Sequence, residues 1–268
     1  MTPADHLKAG DIDAALKALQ SEVRAQPGDA KLRVFLFQLL CILGDWKRAV
    51  AQLKLCAELD PMAIPMAQTY REAIICELHR DKVFAGEAAP MVMGEPAHWL
   101  ALLIEAQGHL AAGRAAEAEA LRAQAFEAAP ATPGRIDGTP FAWIADADMR
   151  LGPVLEAVIN GRYFWVPFAA IRSLDMEAPA DLRDAVWMPA QIRLVSEGEV
   201  VALIPTRYAG TTATGTPAEK LARATGWHDA GAGLFTGLGQ RILSTDAAEA
   251  ALMDIRRIEI DPAPAQAG

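Results

Sequence analysis

The chain is predicted to be α+β, with an all-α helical-repeat region first and a mainly antiparallel β-sheet module with short helices second. Three observations predict this. An 18-residue pattern occurs three times before residue 131. After Pro130 the helical period gives way to short β-favouring runs bounded by turn residues. Asn160-Gly161 then separates two such runs in the manner of a hairpin.

The three copies align without gaps: GDIDAALKALQSEVRAQP (10–27), GDWKRAVAQLKLCAELDP (44–61) and GRAAEAEALRAQAFEAAP (113–130). Each opens on glycine (Gly10, Gly44, Gly113), has alanine sixth (Ala15, Ala49, Ala118) and closes on proline (Pro27, Pro61, Pro130). Glycine ends one helix and permits a tight turn. The small alanine lets paired helices approach, and proline stops the second helix. Gly10 and Gly44 lie 34 residues apart, the period of tetratricopeptide repeats, so the region is TPR-like. Gly44, Trp46, Ala49 and Pro61 make the strongest copy.

The copy due near residue 79 is missing, and 66–84 reads as one longer helix followed by an irregular stretch, 85–95. Helices are expected at about 3–9, 12–25, 31–43, 46–59, 65–84, 97–111 and 115–128. Stacked pairs of this kind form a solenoid whose concave side commonly holds peptides or helices. The helical region is placed at 1–132, the sheet module at 138–262 and a disordered tail at 263–268.

In the second half, 154–159 and 163–168 form the hairpin about Asn160-Gly161, whose residues supply the positive φ angles of a type I′ turn. The second strand is unusually aromatic: Tyr163, Trp165 and Pro167 face one way, Phe164, Val166 and Phe168 the other. With both faces apolar, it is either buried on both sides or covered by another chain. Further strands are expected at 190–195, 200–204, 171–176, 241–244 and 254–260, with short helices at 179–187 and 217–225.

Composition narrows the function. The chain is 52% apolar with mean hydropathy +0.14, which fits a packed globular protein. Its densest apolar run, Val34 to Leu43, is about half the ~20 residues needed to span a bilayer, so no membrane insertion is expected. The first residues lack the basic start and apolar core of a secretory signal, which points to the cytoplasm. Cys41, Cys56 and Cys76, odd in number and without a CxxC, read as buried reduced thiols. Net charge is −9, with 14 basic against 17 acidic residues in 1–135 and 11 against 17 afterwards, which excludes nucleic acid as the main partner. The second half carries one lysine, Lys220, and otherwise arginine. Arginine suits bidentate pairing with carboxylates, in structural ion pairs or on a docking face.

Motifs for catalysis are sparse. Asp146 and Asp148 form a D-x-D pair that could hold a divalent metal, or else start a helix or pair with Arg150. Gly210 to Pro217 lacks the lysine of a phosphate loop and reads as a mobile loop. The glycines of 231–239 are in the wrong order for a dinucleotide fingerprint. Ser21, Ser173, Ser196 and Ser244 sit in no G-x-S-x-G, and the five histidines show neither HExxH nor zinc spacing with cysteine. No cofactor and no catalytic or metal residue is therefore expected.

Four blocks carry a family resemblance. WIADADMRLGPVLEAVINGRYFWVPF (143–168) resembles the signature of the ImpE family, also called TagJ or SciE-type. DLRDAVWMPA (181–190), VALIPTRY (201–208) and GLGQRILSTD (237–246) follow in the order that family shows. The resemblance implies a non-catalytic cytoplasmic accessory protein of bacterial type VI secretion. It also implies association, in some systems, with the small subunit of the contractile sheath and with the ATPase that recycles contracted sheaths. An adaptor that grips an amphipathic helix is the expectation that follows. The candidate contacts are whichever of Arg162, Trp165, Arg172, Trp187, Arg207 and Tyr208 are exposed, because aromatic and arginine side chains dominate binding hot spots. Two rival expectations stand beside it: a metal-assisted hydrolase using Asp146 and Asp148, and a self-associating structural scaffold.

Overall fold

A computed structural model describes residues 1–94 and 97–262; the tail expected at 263–268 lies outside the described residues. Seven helices come first: α1 (Pro3–Lys8), α2 (Ile12–Ala25), α3 (Ala30–Leu43), α4 (Trp46–Leu59), α5 (Ile64–Phe84), α6 (His98–Ala111) and α7 (Ala115–Ala128). The repeat glycines occupy the turns within the pairs α1–α2, α3–α4 and α6–α7. Gly10, Gly44 and Gly113 each have positive φ, at 81°, 73° and 75°. After the first two, an aspartate caps the next helix: Asp11 accepts from the Ala14 amide and Asp45 from the Arg48 amide. The third copy has Arg114 there, which makes no side-chain cap. Ala15, Ala49 and Ala118 are buried where neighbouring helices touch. Pro27, Pro61 and Pro130 each lie two residues beyond a helix end.

The strands are β1 (Met91–Val92), β2 (Gly134–Ile136), β3 (Thr139–Phe141), β4 (Ile144–Asp146), β5 (Val154–Ile159), β6 (Arg162–Pro167), β7 (Ile171–Met176), β8 (Trp187–Leu194), β9 (Glu199–Pro205), β10 (Thr225–Asp229), β11 (Phe235–Gly239), β12 (Ile242–Thr245), β13 (Glu249–Ala251) and β14 (Arg257–Ile260). Two one-turn helices, α8 (Thr211–Thr214) and α9 (Pro217–Lys220), lie after β9. Nine strands form one sheet in the order β1-β6-β5-β9-β8-β7-β14-β2-β3, with β10-β11 and β13-β12-β4 as small separate sheets. Every pairing is antiparallel except β1 with β6. Asn160 and Gly161, at φ 49° and 69°, turn the chain between β5 and β6.

Strand period places the two cores. On β5, Val154 and Val158 face the helices, while Leu155, Ala157 and Ile159 face the opposite core with Phe168, Ile192 and Leu243. On β6, Tyr163 and Trp165 face the helices and Val166 faces away. The aromatic strand is thus covered on both sides by its own chain. Trp187 at the start of β8 packs against Trp46 (ring centroids 6.0 Å) and Tyr70 (5.7 Å), closing α4 and α5 onto the sheet. One face of the helical layer is therefore filled by the sheet.

Several short elements differ from expectation. Residues 91–92, inside the stretch read as irregular, add a parallel edge to β6. Residues 210–216, read as a mobile loop, contain α8, whose Thr211 is buried and donates through Oγ1 to the Tyr208 carbonyl (2.7 Å). A Cβ built on Gly44 would stand 2.7 Å from that of Thr212, so α8 sits directly on the α3–α4 turn. The glycines of 231–239 belong to the β10–β11 hairpin: a Cβ at Gly237 would lie 2.2 Å from the Tyr208 ring, so only glycine lets the hairpin close on it. The helix expected at 217–225 is only α9, and 182–185 is a single 3₁₀ turn before β8.

Candidate functional site

Of the charged residues singled out from the sequence, Asp146, Asp148, Arg150 and Arg207 converge in the interior, while Arg162 and Arg172 do not. Asp146 ends β4, and Asp148 opens the turn that follows. Asp146 Oδ1 accepts from the Asp148 amide (2.9 Å), and Oδ2 takes an ion pair from Arg241 Nη1. Asp148 Oδ1 accepts from the amide and Nε of Arg150 (both 2.9 Å), and Oδ2 from the Gly237 amide (2.8 Å) and Arg150 Nη2. Both carboxylates are buried and all four of their oxygens are engaged by donors of this chain. Among the described residues no three His, Cys, Asp or Glu side chains are grouped to hold a metal. The metal-assisted hydrolase expected on Asp146 and Asp148 is corrected accordingly: their lone pairs already bind arginine and backbone, as in the structural alternative.

Glu156, on the helix-facing side of β5, links this pair to the helices. Its Oε1 accepts from Arg80 Nε of α5 (2.6 Å) and from the Tyr163 hydroxyl; its Oε2 accepts from Arg80 Nη2 (2.8 Å) and Arg241 Nη2. Arg80 Nη1 continues to Glu77 Oε2 (3.2 Å), and Glu77 Oε1 accepts from the Trp187 indole N–H (3.0 Å). Arg207 stands beside them with no carboxylate of its own. It donates to the carbonyls of Ile42 (2.8 Å), Lys220 (2.6 Å) and Cys41 (3.2 Å), bonding the last turn of α3, where the helix dipole favours a cation. Four carboxylates (Glu77, Asp146, Asp148, Glu156) and four guanidiniums (Arg80, Arg150, Arg207, Arg241) thus form one interior cluster.

The environment splits the two central acids. Burial would raise Glu156, but Arg80 and then Arg241 outweigh it and hold its carboxyl at about 2. Burial also raises Asp146, and there Arg241 opposes it incompletely, so that carboxyl is pushed up to about 7. Burial lowers Arg207 to about 10. Such clusters satisfy buried charge within the chain.

Of the six candidate contact residues, Trp165, Trp187, Arg207 and Tyr208 are buried and make their polar bonds within the chain. Their burial removes them from any partner-facing surface of the folded chain. Arg162 is exposed beside the β5–β6 turn, and Arg172 is half-buried on β7. The cluster members Glu77, Arg80, Glu156 and Arg241 escaped sequence reasoning. Their one signal is a charged residue at an inward position of an apolar element, as in V-L-E-A-V-I.

Among the described residues the helical layer has an open, mainly apolar groove, of about 530 Å³, between α4 and α5. Val50, Leu53, Ala57, Ile64 and Ala67 line it, with Lys54 and Arg71 also on its wall. Ile64 is 41% exposed, a large apolar side chain left facing solvent.

Comparison with known proteins places these features. The model of the ImpE protein family matches residues 138–259. The chain is 53% identical over 265 residues to the type VI secretion system accessory component TagJ of Pseudomonas aeruginosa, covering 99% of this chain and 93% of that protein. It also superposes on the crystal structure of protein VPA1032 from Vibrio parahaemolyticus with a TM-score of 0.89 at 27% identity, over 97% of this chain and 98% of that one.

Proposed function

The chain belongs to the ImpE family, and on that premise we propose that it is a non-catalytic, cytoplasmic adaptor of a bacterial type VI secretion system. The observation that carries this reading is its 53% identity, over nearly its whole length, to a protein named as an accessory component of that system. Two structural features support gripping over reacting. The aspartate pair is consumed by arginines, and the helical layer offers an apolar groove between α4 and α5. The groove suits the apolar face of an amphipathic helix, and a helix of the small sheath subunit is the occupant in this reading. The ATPase that recycles contracted sheaths is the second partner, meeting the complex of adaptor and sheath subunit. The helical region, 1–132, and the sheet module, 138–262, act together as one body.

The test is co-purification of the tagged chain with the small sheath subunit and the recycling ATPase of its own gene cluster. Retention of the sheath subunit is expected, with loss of at least tenfold in affinity for Ile64→Glu, which places a charge in the groove at an exposed position. If the wild-type chain retains neither protein at micromolar concentration, it is not an adaptor of this kind. If it only associates with itself, the scaffold reading takes its place.

A further inference from the structure

A second cavity, of about 250 Å³, lies between the C-terminal end of α5, the exposed loop 85–89 and α6. Its wall includes Val83, Ile104 and the buried ring of Trp165, with Glu87 and Gln107 as the polar side chains. Gln107 is 5% exposed, and its Oε1 has no hydrogen-bond partner among the described residues. The orientation of that amide is fixed, because Nε2 donates to the Phe84 carbonyl at 2.8 Å and a flip would set two oxygens against each other. Gln107 lines this cavity as well as a smaller one toward Arg122 and Arg150, and a buried acceptor left unsatisfied costs about 1–3 kcal/mol, so a donor that reaches it is favoured.

Every other feature of the lining asks for the same kind of donor. None of the ten lining residues is basic. Glu87 makes no ion pair among the described residues. The end of α5 carries the partial negative charge of a helix C-terminus. Trp165 closes the inner end of the cavity, fully buried, with its indole N–H donated to the Tyr163 hydroxyl (2.8 Å). An acceptor amide, a carboxylate and a negative helix end together select a donor-only cation on an apolar stem. The volume falls below the 300–1,000 Å³ usual for a small-molecule pocket and suits a single side chain.

We propose that this cavity is a socket for one basic side chain, lysine or arginine, presented by a protein partner. The socket is separate from the α4–α5 groove, so its failure would leave the adaptor reading untouched. It gives the acidic chain a point of register, in which an apolar stem packs on Ile104 while the charged head meets Gln107 and Glu87.

The probe is N-acetyl-lysine amide, compared with N-acetyl-norleucine amide, which keeps the stem and lacks the charge. The readout is NMR of the Gln107 side-chain amide and the Trp165 indole in the full chain. The lysine probe is expected to shift both signals saturably and at least tenfold more tightly than the norleucine probe. Gly108→Leu fills the space from α6, where nothing stands within 4 Å of a built Cβ, and is expected to abolish the shift. Glu87→Gln, on an exposed loop position, is expected to weaken it severalfold. Equal binding of the two probes, an absent shift in wild type, or an unchanged shift in Gly108→Leu would each overturn the proposal.

Discussion

Arg80 and Glu156, 76 residues apart in sequence, meet in a bidentate pair at 2.6 and 2.8 Å that joins α5 to β5. Both are buried, and each is also bonded to other members of the cluster. Removing one partner strands the other's charge in the interior, so Arg80→Met is expected to cost about 3–5 kcal/mol in urea denaturation. The double variant Arg80→Met/Glu156→Gln should lose much less than the two single losses summed. Strict additivity would show that the pair does not act as a unit.

The same pair sets the acid limit of the fold. Glu156 is held at about 2 in the folded chain against 4.5 for a free glutamate. Its ionisation therefore stabilises the fold fully above pH 4.5 and progressively less as pH falls toward 2. Denaturation midpoints followed by tryptophan fluorescence should drop through that window, and the drop should flatten in Glu156→Gln. Asp146 has the opposite sign: raised to about 7 from 3.8, its ionisation disfavours the fold as pH rises through that interval. At pH 8 Asp146→Asn should accordingly be tolerated better than Glu156→Gln. A larger loss for Asp146→Asn would reverse this ordering of the two acids.

The β5–β6 turn offers a local test. Gly161 has φ 69°, and a Cβ there would lie 2.8 Å from Glu72 Oε2 of α5. Gly161→Ala is expected to destabilise by about 1–2 kcal/mol from the left-handed backbone alone, with the helix contact adding to it. Asn160→Gly, at φ 49°, should change little. Thermal melts of the two variants distinguish a strained turn from a tolerant one.

The sheet module should not fold by itself. Residues 136–268 alone would expose Trp165, Trp187 and Tyr163, and would leave Glu156 without Arg80. Sedimentation and near-UV circular dichroism of that fragment should show an aggregated or loosely packed species. A monodisperse fragment with a cooperative melt would refute this.

Much of the architecture was legible because it rests on local rules. The Gly44 and Ala49 spacing marks the α3–α4 pair, and Asn160-Gly161 marks the hairpin, through backbone demands that few residues meet. What stayed hidden was set by distant partners. Met91 and Val92 form a strand only because β6 presents an edge, and Gly237 is required only because Tyr208 arrives beneath it. Four of the six candidate contacts are buried for a related reason. Trp187 and Arg207 look like hot-spot residues by type, but whether such side chains face a partner or their own helices depends on tertiary packing. The D-x-D pair was ambiguous until Arg241, 95 residues from Asp146, came within reach.

Because the four acids and four arginines of the interior cluster cancel formally, the net charge of −9 comes from residues outside that cluster. An oppositely charged protein approaching this chain would be drawn in over roughly a Debye length, about 8 Å at physiological ionic strength. Association rates should thus fall as salt is added, while dissociation, governed by apolar contact, changes far less.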